Sequence, residues 1–217
     1  MSGFFITFEG GEGSGKTTQI NRLASTLTHL GKQVVTTREP GGTVEAEKIR
    51  DFLVQRDGGD WSPIAEALLL FAAREMHYQK VIKPALENGK IVICDRFTDS
   101  TRAYQGYGHD LPLEKIEQLK KITIGDVEPD LTFILDIDCK EGLSRSNRRL
   151  ENEVSEAESK EDRFENMELA FHEKLRQGFL SIAKNDPDRC AVIDASNNID
   201  DVHEKIMDTV KERNLIQ

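Results

Sequence analysis

The sequence predicts an α/β fold in three layers, a parallel five-stranded sheet with helices on both faces. Three observations carry this reading. Five short apolar runs alternate with longer stretches whose apolar residues recur every three or four positions. The third run, Lys90-Ile91-Val92-Ile93-Cys94-Asp95, is apolar along most of its length, as suits a strand buried on both faces. The turn between the first run and the first helical stretch reads Gly10-Gly11-Glu12-Gly13-Ser14-Gly15-Lys16-Thr17, which satisfies G-x-x-x-x-G-K-[ST].

Taken in order, Phe4 to Phe8 forms the first strand and stops at Glu9-Gly10. The first helix spans Lys16–Leu30, with Ile20, Leu23, Ala24, Leu27 and Leu30 on one face, and closes at Gly31, a natural left-handed stop. Gln33 to Thr37 is the second strand, and Arg38-Glu39-Pro40-Gly41-Gly42-Thr43 the loop at its C-terminal end. A helix follows from about Val44 to Val54, then a loop from Arg56 to Trp61 rich in Gly and Asp. Ser62-Pro63 supplies an N-cap and an N1 proline, opening one long helix to about Glu87. Beyond the third strand, helices are expected at Thr98–Tyr107 and Pro112–Ile124, and the fourth strand at Leu131–Asp136. An arginine-bearing helix runs from Cys139 to about Leu150. Glu151–Asp162 has six acidic residues in twelve and no apolar period, so it is expected to be exposed and mobile. Phe164–Ala183 reads as helix, Cys190–Asp194 as the fifth strand and Ile199–Arg213 as the last helix. There is no repeat and no linker, which makes residues 1–217 a single domain.

The glycine-rich turn points to a nucleoside triphosphate. Glycines let backbone N–H groups point inward around a phosphate where a Cβ would intrude. The first turn of the following helix, with Thr17 and Thr18, adds free N–H donors and the positive end of its dipole. Lys16 supplies a mobile charge for the β/γ-phosphates, and Thr17 a hydroxyl for Mg²⁺.

Composition narrows the partners. The formal charge is −10, from 29 basic and 39 acidic residues, and the pI is near 5.1. A net acidic chain is a poor general binder of nucleic acids or anionic membranes. The longest apolar run, Ala67–Ala73, is far too short to span a bilayer, and Met1-Ser2-Gly3 leads straight into the first strand with no room for a signal peptide. Cys94, Cys139 and Cys190 lie in or beside apolar runs, with no C-x-x-C, so reduced packing thiols in the cytoplasm are expected.

Ligands on parallel sheets gather at the carboxyl ends of the strands. That rule selects Glu9, Arg38-Glu39-Pro40, Asp95-Arg96, Asp136 and Asp194. No N-K-x-D guanine motif is present, which argues against a GTPase. Arg38, Arg74, Arg96, Arg145, Arg148 and Arg149 scatter positive charge among these loops, which suggests two phosphorylated substrates. Asp95 is placed near Mg²⁺ through water and Arg96 on an acceptor phosphate; a structural ion pair at the strand end is the alternative. Arg145 and Arg149, spaced i, i+4, share a helix face, so one could stack on adenine while the other reaches the transferring phosphoryl group. A solvated basic face is the plainer reading of that pair. Phe71, Arg74 and Tyr78 also share a face; burial accounts for the aromatics but not for Arg74.

These residues resemble the bacterial thymidylate kinases of the P-loop nucleoside-monophosphate kinase family. The resemblance rests on Phe8-Glu9-Gly10 with the cradle, Thr37-Arg38-Glu39-Pro40-Gly41-Gly42-Thr43, Leu70-Phe71-Ala72-Ala73-Arg74, Asp95-Arg96-Phe97, Ala103-Tyr104-Gln105-Gly106 and Pro129-Asp130-Leu131-Thr132. It implies the P-loop fold with strand order 2-3-1-4-5, a mobile lid at about 142–165, and a homodimer. It implies phosphoryl transfer from ATP to dTMP, giving dTDP and ADP. Arg74 with Gln105 or Thr101 would read the thymine edge, Phe71 or its neighbour Leu70 would stack on the base, and Ser100 would lie in the same acceptor set. Tyr104 would crowd the sugar 2′ position. Glu12 would face the acceptor's sugar, while the lid supplies the catalytic arginine, Arg149 or Arg148. A cis peptide is expected at Glu39-Pro40.

The acceptor phosphate monoester is largely a dianion at neutral pH, so no general base is required. Catalysis then consists of positioning and charge neutralisation by Lys16, Mg²⁺, Arg96 and the lid arginine. A switch that binds ATP without transferring phosphate, and a kinase for another acceptor, are the competing readings.

Overall fold

The computed structural model describes residues 3–54, 59–152 and 167–213, and of residues 149–152 the backbone alone. Its strands are β1 (Phe4–Glu9), β2 (Val34–Arg38), β3 (Ile91–Asp95), β4 (Leu131–Asp136) and β5 (Cys190–Asp194). They form one sheet in the order β2-β3-β1-β4-β5. Each neighbouring pair is parallel, with Ile6 opposite both Ile93 and Leu131, and Arg38 opposite Asp95. All carboxyl ends therefore lie at one edge, where β1 runs into the glycine-rich turn.

Alternation along the strands divides the core between two faces. Ile6 and Phe8 of β1, Ile93 of β3 and Phe133 of β4 point one way. They meet Ile20, Leu23 and Leu27 of α1 (Lys16–His29) and Val202, Ile206 and Val210 of α9 (Ile199–Glu212). Phe5, Val92 and Cys94 point the other way, toward Phe97, Ile82 and Ile124. On that side, α8 (Leu169–Asn185) packs Phe171, Leu175, Phe179 and Ile182 against Ile134, Ala103 and Tyr104. Phe8 and Phe133 stack with ring centroids 5.1 Å apart beneath the turn. Phe133→Ala is expected to lower the unfolding free energy by about 3–5 kcal/mol, through lost burial and the cavity left behind. A urea melt reads this, and a loss under about 1 kcal/mol would mean that the two rings do not support each other.

Several boundaries follow local chemistry. Ser62 caps α3 (Pro63–His77), its hydroxyl accepting from the Ala65 N–H, with Pro63 in the first turn. The remaining helices on these faces are α2 (Val44–Val54), α5 (Thr98–Thr101), α6 (Leu113–Thr123) and α7 (Cys139–Asn152).

The structure departs from the sequence reading at three places. The long helix expected to reach Glu87 changes register in a π-helical turn, Tyr78–Ile82, before α4 (Lys83–Glu87). Pro84 has no N–H to give to a carbonyl one turn back, and the wider turn places it at the start of α4 instead. The helix expected at Thr98–Tyr107 is α5 followed by a second π-helical segment, Arg102–Gly108. α8 begins at Leu169, because Glu168 is extended and acts as its N-cap; the earlier start at Phe164 and most of the acidic stretch lie outside the described residues.

Candidate active site

The turn after β1 wraps around the side chain of Lys16. Its ammonium donates to the carbonyls of Gly10 at 3.1 Å and Gly11 at 3.0 Å, with the Ser14 hydroxyl at 3.4 Å. Ser14 donates in turn to the Gly11 carbonyl. Two glycines are dictated by their surroundings. Gly10 has φ 136° and presses on the Leu135 carbonyl, which a Cβ would meet at 2.5 Å. Gly13 has φ 65°, and a Cβ there would lie 1.9 Å from the carbonyl of Gly142 in α7. The tip of the turn is thus docked backbone to backbone on the arginine-bearing helix. Burial pushes the Lys16 ammonium below the usual lysine range, and Arg96 adds to this, while Asp95 and Glu12 oppose it.

Thr17 and Asp95 meet at the mouth of the turn, hydroxyl to carboxylate at 3.5 Å. The other Asp95 oxygen is buried and has no hydrogen-bond partner among the described residues. Two hard oxygens beside a phosphate cradle fit Mg²⁺, which takes few protein ligands and keeps waters and phosphate oxygens. Thr18 is exposed in the first turn of α1.

Arg96 follows Asp95 with φ 68°, the left-handed region that an arginine enters only when its surroundings hold it there. Its guanidinium donates to Glu12 at 2.9 Å, to the Gly10 carbonyl at 3.2 Å and to Ser100 at 3.3 Å, and lies 5.0 Å over the Tyr104 ring. Tyr104 also donates its hydroxyl to Glu12, at 2.5 Å. Burial alone would raise the Glu12 pKa, but Arg96, Lys16 and the Tyr104 hydroxyl outweigh it and bring the carboxyl down to about 2.

A second carboxylate, Glu9, is fully buried and accepts from the Phe97 N–H at 2.7 Å and the Ser100 hydroxyl at 2.5 Å. Desolvation, with the nearby Asp99, pushes it up to about 7. A carboxyl whose folded pKa exceeds its unfolded value binds extra protons in the folded state between the two. Its contribution is therefore present near pH 4.5 and lost as the pH rises through about 7. Unfolding free energy measured across that window should fall with pH in the wild type and fall less in Glu9→Gln; identical slopes would place the titration elsewhere.

Arg74 lies across the floor, 2 % exposed. Its Nε donates to Glu39 at 2.6 Å, and its Nη2 to the Phe97 carbonyl at 3.0 Å and Thr101 at 3.1 Å. Phe71 and Phe97 flank the guanidinium at 4.7 and 5.2 Å. Nη1 is buried with no hydrogen-bond partner among the described residues, and so is Oε1 of Gln105, whose amide donates to Glu66 at 2.7 Å. An orphaned donor and an orphaned acceptor in one region form a hydrogen-bonding edge without its complement.

The expected residues fare differently. Lys16, Thr17, Asp95, Arg96, Glu12, Ser100 and Tyr104 converge on the turn. Arg38 lies beside Asp95 at the sheet edge, exposed and paired with Glu47 at 3.1 Å. Arg145 reaches the loop after β5, donating to the Ala195 carbonyl at 2.9 Å and pairing with Glu141 at 2.6 Å. Phe71 and Leu70, the two candidates for the base face, differ in burial. Phe71 is 1 % exposed and packed with Ala67, Leu111 and Ile116, whereas Leu70 is half-buried. Asp136 and Asp194 serve local structure, Asp136 gripped in a two-point pair by Arg176 and Asp194 closing the turn at Ser196. Arg148 is exposed on α7, and the side chain of Arg149 lies outside the described residues. The Glu39-Pro40 peptide is cis, as expected.

Sequence reasoning selected Glu39 by its place at a strand end but missed its hold on Arg74, and it missed Glu66, which holds Gln105. Glu66 could have been suspected as an acid in a stretch that otherwise buries. His77, three residues past Arg74 on the same helix, was not singled out.

The chain is similar to known proteins over nearly its whole length. The thymidylate kinase family model matches residues 8–206. A thymidylate kinase of Caulobacter vibrioides is 50 % identical over 211 residues, 97 % of each chain. One from Syntrophotalea carbinolica is 49 % identical over 203 residues, 94 % of this chain and 93 % of its own. The crystal structure of thymidylate kinase from Ehrlichia chaffeensis superposes with a TM-score of 0.76 at 39 % identity, covering 97 % of this chain and all of its own.

Proposed function

Since the chain belongs to the thymidylate kinase family and transfers a phosphoryl group from ATP to dTMP, we propose that its strand-end residues divide the reaction into a donor half and an acceptor half. The observation that carries this is the pair of orphaned buried atoms, Arg74 Nη1 and Gln105 Oε1, set apart from the phosphate cradle. A thymine presents a carbonyl acceptor and an N–H donor along one edge, the complement of that pair. Thr101 serves by holding Arg74, and half-buried Leu70 is assigned to the base face. Tyr104, anchored on Glu12, walls the sugar.

In the donor half, the Gly10–Thr18 turn cradles the triphosphate, and Lys16 leaves its carbonyl partners for the β/γ-phosphates. Arg145, at the loop after β5, is assigned to the adenine side. Thr17, and Asp95 through water, hold Mg²⁺, which when bound offsets charge on the phosphates. In the acceptor half, Arg96 exchanges Glu12 for the phosphate of dTMP, and Arg38 adds charge from β2. Glu12 stays ionised, keeps its bond to Tyr104 and faces the sugar. The attacking phosphate oxygen needs no base, so positioning and charge supply the rate. Arg149 or Arg148, near the end of α7, is assigned to the transferring group, and most of the lid expected at about 142–165 lies outside the described residues.

The enzyme is proposed to work as a homodimer in the cytoplasm. Exposed Phe52 of α2, Ile64 and Leu68 of α3 and Leu113 of α6 support the dimer, since these apolar side chains lie on helices that pack side by side.

The test is a coupled measurement of ADP release with and without dTMP, and with and without Mg²⁺. Release that requires both is expected. Equal release without dTMP would make the protein an ATPase or a switch.

A further inference from the structure

Behind Arg74 lies a second layer of buried polar side chains that the transfer reaction does not use. The imidazole of His77 is 0 % exposed. Its Nδ1 donates to Oε1 of Glu39 at 2.9 Å, and its Nε2 meets the Thr37 hydroxyl at 2.6 Å. The other oxygen of Glu39 takes the Nε–H of Arg74. A continuous line of bonds thus runs from Thr37 on β2, through His77 on α3 and Glu39 in the following loop, to the guanidinium.

Gly42 supports this independently. It stands at φ 83° with its backbone against the imidazole, where a Cβ would come within 2.4 Å of both Cδ2 and Nε2. The second glycine of the Pro-Gly-Gly loop therefore leaves room for the ring as well as turning the chain. The ring is seated against that loop and held at both of its nitrogens.

Guanidinium orientation depends on this. Nε and Nη2 are fixed by Glu39, Phe97 and Thr101, and only Nη1 is left over. A carboxylate held at one oxygen can rotate, whereas one held at both sets the plane of its arginine partner. We propose that His77 is a positioning residue for acceptor-base selection: by fixing Glu39, it aims Nη1 of Arg74 at the base. The inference rests on the assignment of Arg74 to the acceptor base. The chemistry selected is a pyrimidine with a carbonyl at the 4-position, as in thymine, over one with an amino group there, as in cytosine, because Nη1 can only donate.

Two substitutions separate the contacts. His77→Asn keeps an N–H near the Nδ1 position and so retains the bond to Glu39. His77→Gln keeps a polar atom near Nε2 alone and retains the contact with Thr37. Steady-state kinetics with dTMP and dCMP as acceptors, at saturating ATP, then read the result. The Gln variant should raise KM for dTMP about tenfold or more, leave KM for ATP within about twofold, and lose most of its preference for dTMP over dCMP. The Asn variant should stay near the wild type in all three.

Wild-type turnover with dTMP tests the parent reading; the contrast between Asn and Gln tests this one. Equal behaviour of the two folded variants, or a matching rise in KM for ATP, would overturn it. If neither variant folds, Glu39→Gln leaves a single acceptor oxygen for the two donors His77 Nδ1 and Arg74 Nε. A higher KM for dTMP with unchanged KM for ATP then supports the proposal, and an unchanged KM for dTMP overturns it.

Discussion

Lys16→Ala is expected to reduce kcat by about two to three orders of magnitude or more while the protein stays folded. Lys16 stands at the first position of α1, and its ammonium binds two loop carbonyls and a serine hydroxyl. None of these contacts belongs to the core that Ile20, Leu23 and Leu27 build from the same helix. Truncation removes the mobile charge that moves from the carbonyls to the triphosphate, a contribution that grows as charge shifts to the bridging oxygen. Circular dichroism and calorimetry with dTMP should both match the wild type. Near wild-type turnover, or loss of dTMP binding, would show that Lys16 acts differently.

Arg96→Ala should lower kcat/KM for dTMP by about a hundredfold or more and leave the affinity for ATP nearly unchanged. The guanidinium is bound by Glu12, Ser100 and the Gly10 carbonyl, an anion-binding arrangement whose present anion is Glu12. Removing it deprives the acceptor phosphate of its partner and leaves Glu12 with less positive charge, so the carboxyl should rise from its value of about 2. The backbone gives a second readout. At φ 68°, alanine is strained as arginine is, and glycine is not. Arg96→Gly should therefore be more stable than Arg96→Ala by about 1 kcal/mol, with the same loss of acceptor use. An equal loss of ATP affinity in both variants would remove Arg96 from the acceptor half.

The sequence made the sheet and cradle legible because both are local. An apolar run bounded by a glycine-rich turn identifies β1, and the spacing of Ile20, Leu23 and Leu27 identifies α1. Lys16, Thr17 and Arg96 then follow from the rule that ligands gather at strand ends. The polar scaffold was not legible, because its partners are distant in the chain. Glu9 is bonded by Phe97 and Ser100, 88 and 91 positions away, and Arg74 meets Glu39 from 35 positions away. Periodicity finds the buried face of α3 but cannot tell which side chain on it faces the core and which a ligand. Phe71 satisfies both descriptions, and its packing on Leu111 and Ile116 could not be read from that pattern. The π-helical turns escaped for a similar reason, since a one-residue change of register barely alters an apolar pattern.

The most direct test of the two-half site is a crystal structure with dTMP and a non-hydrolysable ATP analogue bound together. The thymine should lie within hydrogen-bonding distance of Arg74 Nη1 and Gln105 Oε1, the acceptor phosphate should replace Glu12 on Arg96, and Lys16 should have moved from the Gly10 and Gly11 carbonyls to the triphosphate. A thymine bound away from Arg74, or a phosphate out of reach of an Arg96 still paired with Glu12, would contradict the account.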